Sequence, residues 1–182
     1  MIQSYSRNRI AKIFLGIILL IITLVVFIKP ALRLVYPYTY SEEIKKTSQS
    51  LEIDEFLVAG VISAESQFEP DAVSSKDAKG LMQIRDETAK WCLETFDIET
   101  TDDEAVLNII IGCTYMRYLI DKYDGNVDTA IAAYNAGEGN VSRWLKEQES
   151  SDASLSHIPF DETRNYVERV RNREKIYRFI YG

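Results

Sequence analysis

Three short segments carry side chains that could do chemistry together. The first is Val61-Ile62-Ser63-Ala64-Glu65-Ser66, where one carboxyl follows a long apolar run. A carboxylate near a helix C-terminus meets the negative end of the helix dipole, and apolar walls penalise its charge. Both effects raise its pKa, which suits a general acid at neutral pH; the alternative is an exposed glutamate without a task. The second segment is Gly80-Leu81-Met82-Gln83-Ile84. A glycine and an amide just before a helix can bring backbone and side-chain groups close to a ligand. It reads equally as a plain loop with Leu81, Met82 and Ile84 tucked into a core. The third is Ala132-Ala133-Tyr134-Asn135-Ala136-Gly137, with small residues for close helix approach and a phenol and an amide beside them. Taken alone, it reads as packing.

The elements that must position these segments are helical. No stretch alternates like a half-buried strand. Ser41-Glu42-Glu43 opens a helix through about Ser50, and Asp54 caps a second, EFLVAGVISAES, apolar on most of its girth. A loop from Gln67 to about Ser75 leads past the Gly80 segment to a helix from Asp86 to about Thr95. Asp102 or Asp103 caps the longest helix, where Val106, Ile109, Ile110, Cys113, Met116, Ile120 and Tyr123 form one stripe. Asp124-Gly125-Asn126 stops it, and Asp128 begins the helix that Gly137 ends. Gly139-Asn140 starts a short helix through Trp144, a Ser-rich connection follows, and Asp161 opens the last helix. The only histidine, His157, lies in that connection and carries no predicted chemistry.

Charge divides the 182 residues unevenly. The first 36 hold five bases and no acid, leaving 16 bases against 28 acids and a net −12 for residues 37–182. This body is long enough for one core and too short for two typical domains. Its acidity argues against nucleic acid as a partner. Two cysteines and one histidine give no zinc-finger or multi-histidine metal site, and no cofactor is implied. In the leader, Ile13–Ile28 is uncharged. Its sixteen residues span about 24 Å as a helix, just short of a ~30 Å hydrocarbon core, with Lys12 and Lys29 placed to snorkel. The run ends in Phe27-Ile28-Lys29-Pro30 without a small-residue cleavage pattern, so an anchor is expected rather than a cleaved signal. Arg7, Arg9 and Lys12 outweigh Lys29 and Arg33, which puts the N-terminus inside and the body outside the cytoplasm. The Tyr36–Tyr40 stretch is then expected at the membrane interface.

Together the segments are far more specific than singly. Glu65-Ser66-x-Phe68-x-Pro70-x-Ala72-x-Ser74, then Gly80-Leu81-Met82-Gln83, then Ala133-Tyr134-Asn135-Ala136-Gly137 resembles the soluble lytic transglycosylase (SLT) catalytic domain. Asn108, Gly112, Tyr115, Met116 and Leu119 fit the helix between its second and third motifs, and Ile158–Val167 fits its final helix. The resemblance covers about residues 40–180. It implies an all-α, lysozyme-like fold preceded by one transmembrane helix, with residues 1–36 as tail and anchor and 37–182 as the catalytic domain. It implies cleavage of the β-1,4 bond between N-acetylmuramic acid and N-acetylglucosamine in peptidoglycan glycan strands, ending in a 1,6-anhydro ring. By position, Glu65 resembles the single catalytic acid and base. Ser74, Gln83 and Tyr134 resemble groups that orient sugar and acid, Gly80 and Met82 shape the cleft floor, and Asn135 and Glu162 support as polar residues.

One segment departs from the family pattern. Between Ser74 and Gly80 the chain has Ser75-Lys76-Asp77-Ala78-Lys79, where the family usually has small residues. Asp tolerates a left-handed conformation and can keep the turn, or it can add a carboxylate that favours water attack. Hydrolysis, as in goose-type lysozyme, is therefore the alternative outcome, and an inactive wall-binding module the alternative class. Cys92 and Cys113 fall on helices this architecture brings near each other, as a disulfide or as two buried thiols.

Overall fold

The structure, a computed structural model, describes the backbone of residues 2–182 and the side chains of residues 12–23 and 26–182. It divides into two units, one ending at Pro37 and one covering Tyr38–Gly182. The first unit is a single helix, α1 (Ile2–Val35). It continues past the uncharged run that ends at Ile28, through Pro30 to Val35, with Arg33 suited to the negative last turn. Lys12–Val35 is long and apolar enough to cross a membrane. The side chains of Arg7 and Arg9, used in the charge reading, lie outside the described residues, as do those of Leu24 and Val25 within the uncharged run.

The second unit is built from helices α2 (Ser41–Ser50), α3 (Glu55–Glu65), α4 (Asp86–Thr95), α5 (Glu104–Lys122), α6 (Val127–Ala136), α7 (Glu138–Glu147) and α8 (Asp161–Tyr181). Among the described residues, only two isolated β-bridges occur, Val73–Lys79 and Lys79–Ile84. Asp54 caps α3, accepting from Phe56 N at 2.8 Å and Leu57 N at 3.3 Å. Phe56–Ser63 are then all buried, as a helix apolar all round requires. Gly60 lets α8 cross α3 at backbone distance: a Cβ there would lie 2.9 Å from Val170 O and from Glu174 N. Arg173 donates to the Ser63 hydroxyl at 2.8 Å across the same contact, and Arg178 pairs with Asp54 at its far end.

The single stripe expected on α5 is too narrow. Ile111, Thr114 and Leu119 are buried as well, because α5 packs on α2, α4 and α6 at once. Asn126, rather than Asp128, caps α6 by accepting from Thr129 N at 3.0 Å. Asp128 sits in the first turn and pairs with Arg171 at 3.0 Å. Helix α7 begins at Glu138 and continues to Glu147, three residues past the expected end at Trp144, with Lys146 in its last turn. Of the Tyr36–Tyr40 stretch, Tyr38 packs inside the second unit, against Phe68, Tyr177 and Tyr181 with centroids 5.1–6.2 Å apart. That ring belongs to the body. Cys92 and Cys113 are buried free thiols, so the bridge does not form.

Candidate active site

Glu65 is the last residue of α3, half-buried at the point where the helix leaves the core. The Tyr166 hydroxyl, on α8, donates to its Oε1 at 2.5 Å. Burial raises the Glu65 pKa; the Tyr166 hydrogen bond and the charge of Arg169 oppose this without cancelling it. Arg169 also lies 5.4 Å over the Tyr166 ring, one helical turn along α8. The carboxyl thus has one oxygen held from behind and a proton affinity above that of an ordinary glutamate.

The facing wall is non-helical and wired by polar groups. Ser66 follows Glu65 and donates to Leu81 O at 2.8 Å, tying the end of α3 to the Gly80 segment. Asn108 on α5 accepts from Met82 N at 2.8 Å and donates to Lys79 O at 3.0 Å. Gly80 has φ 76°, and a Cβ there would lie 2.6 Å from Asn108 Cγ, so only glycine fits over this amide. Gln83 has φ 50° and spends its amide nitrogen on Ala72 O and Gly80 O, both at 2.9 Å. Its Oε1 is left as an acceptor. Ser74 Oγ accepts from Ala78 N at 3.0 Å and Lys76 N at 3.2 Å, so its proton remains free to donate. Asp77 takes φ 59° and keeps the turn.

Helix α6 supplies the third side. The Tyr134 hydroxyl donates to Met82 O at 2.8 Å, locking the loop onto the helix. Burial, reinforced by the charge of Glu65, holds that phenol well above its usual pKa. Asn135 Oδ1 accepts from the Thr163 hydroxyl at 2.9 Å. Glu65, Ser74, Gln83, Tyr134, Asn135 and Glu162 line one cleft of about 530 Å3. Gly80 and Met82 are not on its surface. The Met82 side chain is fully buried, and a Cβ on Gly112 would lie 2.8 Å from its Cβ. Met82 therefore reaches the site through its carbonyl and amide, and Gly80 through the turn it permits. Asp77 is not on the cleft either, while Glu162 is an exposed carboxylate on its rim.

Residues 42–156 match the Transglycosylase SLT domain family. The chain belongs to this family. It is 32% identical over 155 residues to the soluble lytic murein transglycosylase of Escherichia coli K12, covering 81% of this chain and 24% of that protein. It is 29% identical over 177 residues to membrane-bound lytic murein transglycosylase C of Edwardsiella ictaluri, covering 79% of this chain and 47% of the relative. Among solved structures, an inactive glutamate-to-glutamine mutant of the lytic transglycosylase Slt from Pseudomonas aeruginosa superposes with a TM-score of 0.70 at 30% identity, over 80% of this chain and 25% of that one. The chain thus spans about a quarter of the length of the Escherichia coli and Pseudomonas aeruginosa relatives.

Three residues that hold this candidate site together had no assigned task in the sequence: Ser66, Asn108 and Tyr166. All three act on other residues rather than on the cleft, through bonds across 15, 26 and 101 positions. A weak signal existed for Asn108 and Tyr166, polar groups within otherwise apolar helix faces, since a buried polar group needs a partner.

Proposed function

We propose that this SLT domain is a peptidoglycan lytic transglycosylase with Glu65 as its only acid and base. The observation that carries the reading is the Glu65 carboxyl: half-buried on an open cleft, with a raised pKa and one oxygen held by Tyr166. With Oε1 occupied from behind, Oε2 is the oxygen available to substrate. As the acid it protonates the glycosidic oxygen, and the bond from that oxygen to muramic C1 breaks. The substrate's N-acetyl group stabilises the oxocarbenium-like C1. The ionised Glu65 then takes the proton of the muramic C6 hydroxyl, and O6 bonds to C1 to close the 1,6-anhydro ring. Proton and carboxyl are restored, so the usual second carboxylate nucleophile or water activator is not required.

The remaining cleft groups suit a neutral sugar. Ser74 offers a donor, Gln83 Oε1 an acceptor, Tyr134 a phenol oxygen and a ring, and Asn135 and Glu162 polar edges. Gly80 and Met82 keep these groups in register from behind. The names of the relatives as lytic murein transglycosylases support the reaction class, and inactivation of one relative by a glutamate-to-glutamine change supports a catalytic glutamate. Asp77 lies off the cleft, which removes the route to hydrolysis that its carboxylate offered, and Glu162 stands exposed on the rim. We also propose that Ile13–Ile28 anchors the chain with residues 37–182 outside the cytoplasm, supported by the apolar helix and by a relative named as membrane-bound. Digestion of purified peptidoglycan followed by mass spectrometry tests the chemistry. Anhydromuramic ends from wild type and none from Glu65→Gln are expected; reducing ends overturn the lyase reading, and equal inactivity of both proteins overturns the enzyme.

A further inference from the structure

Beyond Tyr115 the cleft opens onto a second hollow of about 290 Å3, lined by Glu87, Thr88, Trp91, Tyr115 and Glu138. Thr88 and Tyr115 line both spaces, so one extended ligand can run from the Glu65 wall into the hollow. Rings mark the route: centroids are 5.6 Å apart from Tyr134 to Tyr115 and 6.1 Å from Tyr115 to Trp91. Trp91 is half-buried and braced by Phe96 at 5.4 Å and Tyr118 at 4.9 Å. Such a ring has little freedom left to lose on binding.

Two carboxylates and a hydroxyl surround it. The Oε2 atom of Glu138 takes the Tyr118 hydroxyl at 3.0 Å and the Lys122 ammonium, which fixes the carboxylate and leaves Oε1 to a ligand. Glu87 is exposed beside Trp91, and the Thr88 hydroxyl completes the edge. A rigid ring bordered by carboxylates matches a pyranose, whose C–H face stacks on the ring while its hydroxyls donate outward. Lys122 pairs with Glu138 and Arg85 with Glu87 at 3.7 Å, so the two carboxylates are charge-balanced and the hollow suits a neutral ligand.

We propose that Trp91, with Tyr115, Glu87 and Glu138, forms a distal subsite for a neutral N-acetylhexosamine of the glycan strand, outside the sugars at the scissile bond. The proposal rests on the reading of the cleft as a glycan site. It makes affinity depend on strand length, because only a long ligand reaches Trp91.

The test uses the full-length chain carrying Glu65→Gln in detergent micelles, titrated with the dimer and the hexamer of N-acetylglucosamine. Calorimetry gives affinity, and tryptophan emission reports on Trp91, because the other tryptophan, Trp144, is 2% exposed. The hexamer is expected to change the emission, and Trp91→Ala to weaken hexamer binding roughly tenfold with the dimer unchanged. Trp91→Phe, which keeps a ring in the cluster, is expected to remove the emission change with a smaller loss of affinity. Equal losses for dimer and hexamer, an unchanged hexamer affinity in both variants, or no hexamer binding overturns the subsite. So does a Trp91 effect confined to stem-bearing peptidoglycan fragments, which reassigns the hollow to peptide. A Glu65→Gln protein that still cleaves peptidoglycan defeats the catalytic reading and leaves these binding results standing.

Discussion

Two of the three sides of the cleft are built by different physics. Glu65 and Tyr166 stand on α3 and α8, which meet at backbone distance over Gly60 and are fixed by apolar burial. Opposite them, residues 72–84 form no helix and are held by Ser66, Asn108, Gln83 and Tyr134, with Asp77, Gly80 and Gln83 at positive φ. A wall fixed by packing can hold a carboxyl against apolar surface, which raises its pKa. A wall fixed by hydrogen bonds presents donors and acceptors to a sugar while remaining a loop. Glu65, the proposed acid, therefore sits on the rigid side, and Ser74 and Gln83, two of the groups proposed to orient the substrate, sit on the wired side.

The sharpest way to break this division is to remove the chemistry and keep both walls. Glu65→Gln is expected to lower peptidoglycan cleavage by about 10²–10⁴-fold, the usual worth of a positioned acid and base, in a turbidity assay with folding checked by circular dichroism. A Gln side chain still accepts from Tyr166, so the wall should stand. The variant should also be more stable than wild type at neutral pH. A carboxyl with a raised folded pKa contributes stability below its ordinary value of 4.5 and loses it as pH rises through the folded pKa. Thermal melts should show the gap widest at neutral pH and closing below that value.

Next in size is damage to the packed wall. Gly60→Val puts branched carbon where even a Cβ lies 2.9 Å from two backbone atoms of α8. Backbone cannot turn aside as a side-chain end can, so a loss of about 3 kcal/mol is expected, at the upper end for overpacking. Urea unfolding measures it, and an unchanged midpoint would show that α8 does not rest on α3 as closely as described.

The same contrast explains what the sequence revealed. The helices of the body were legible because apolar periodicity and caps such as Asp54 and Asp103 are local signals. The Glu65 wall was legible for the same reason, as a carboxyl ending an all-apolar helix. The wiring of the other wall was not. Asn108 to Met82 and Ser66 to Leu81 join residues far apart in sequence, and no periodicity records which polar atom meets which. The motif match named Gly80 and Met82 without revealing that they work from behind the surface. The width of the α5 stripe was misjudged because an element packed on three neighbours buries residues that a one-sided helix exposes.

The wired wall should fail more gently than the packed one. Asn108→Ala removes the acceptor of Met82 N and one of the two donors to Lys79 O, which keeps its bond from Ile84 N. A stability loss of about 1–2 kcal/mol is expected from two bonds of ordinary worth, with a fall in activity as Gln83 and Met82 O lose their register. Asn108→Asp keeps the acceptor for Met82 N and loses the donor to Lys79 O, so it should lie between wild type and Ala. If both variants melt like wild type, the loop is held by something other than Asn108.

The smallest expected change separates the walls most cleanly, because it reads a pKa. Tyr166→Phe removes the donor to Glu65 Oε1, a bond that lowers the Glu65 pKa against the raising effect of burial. Without it the ionised form loses its partner while the apolar surroundings stay, so the pKa rises further. In the proposed mechanism Glu65 starts protonated, so activity is lost as pH climbs past its pKa. The alkaline limb of the pH–rate profile should therefore move to higher pH in Tyr166→Phe, with a lower plateau as the carboxyl loses its orientation. Asn108→Ala lowers the plateau too, but it touches no group that bonds Glu65, so its alkaline limb should stay where the wild-type limb lies. A limb that moves down in Tyr166→Phe, or moves equally in both variants, would mean that the acid is tuned from the loop and not from α8.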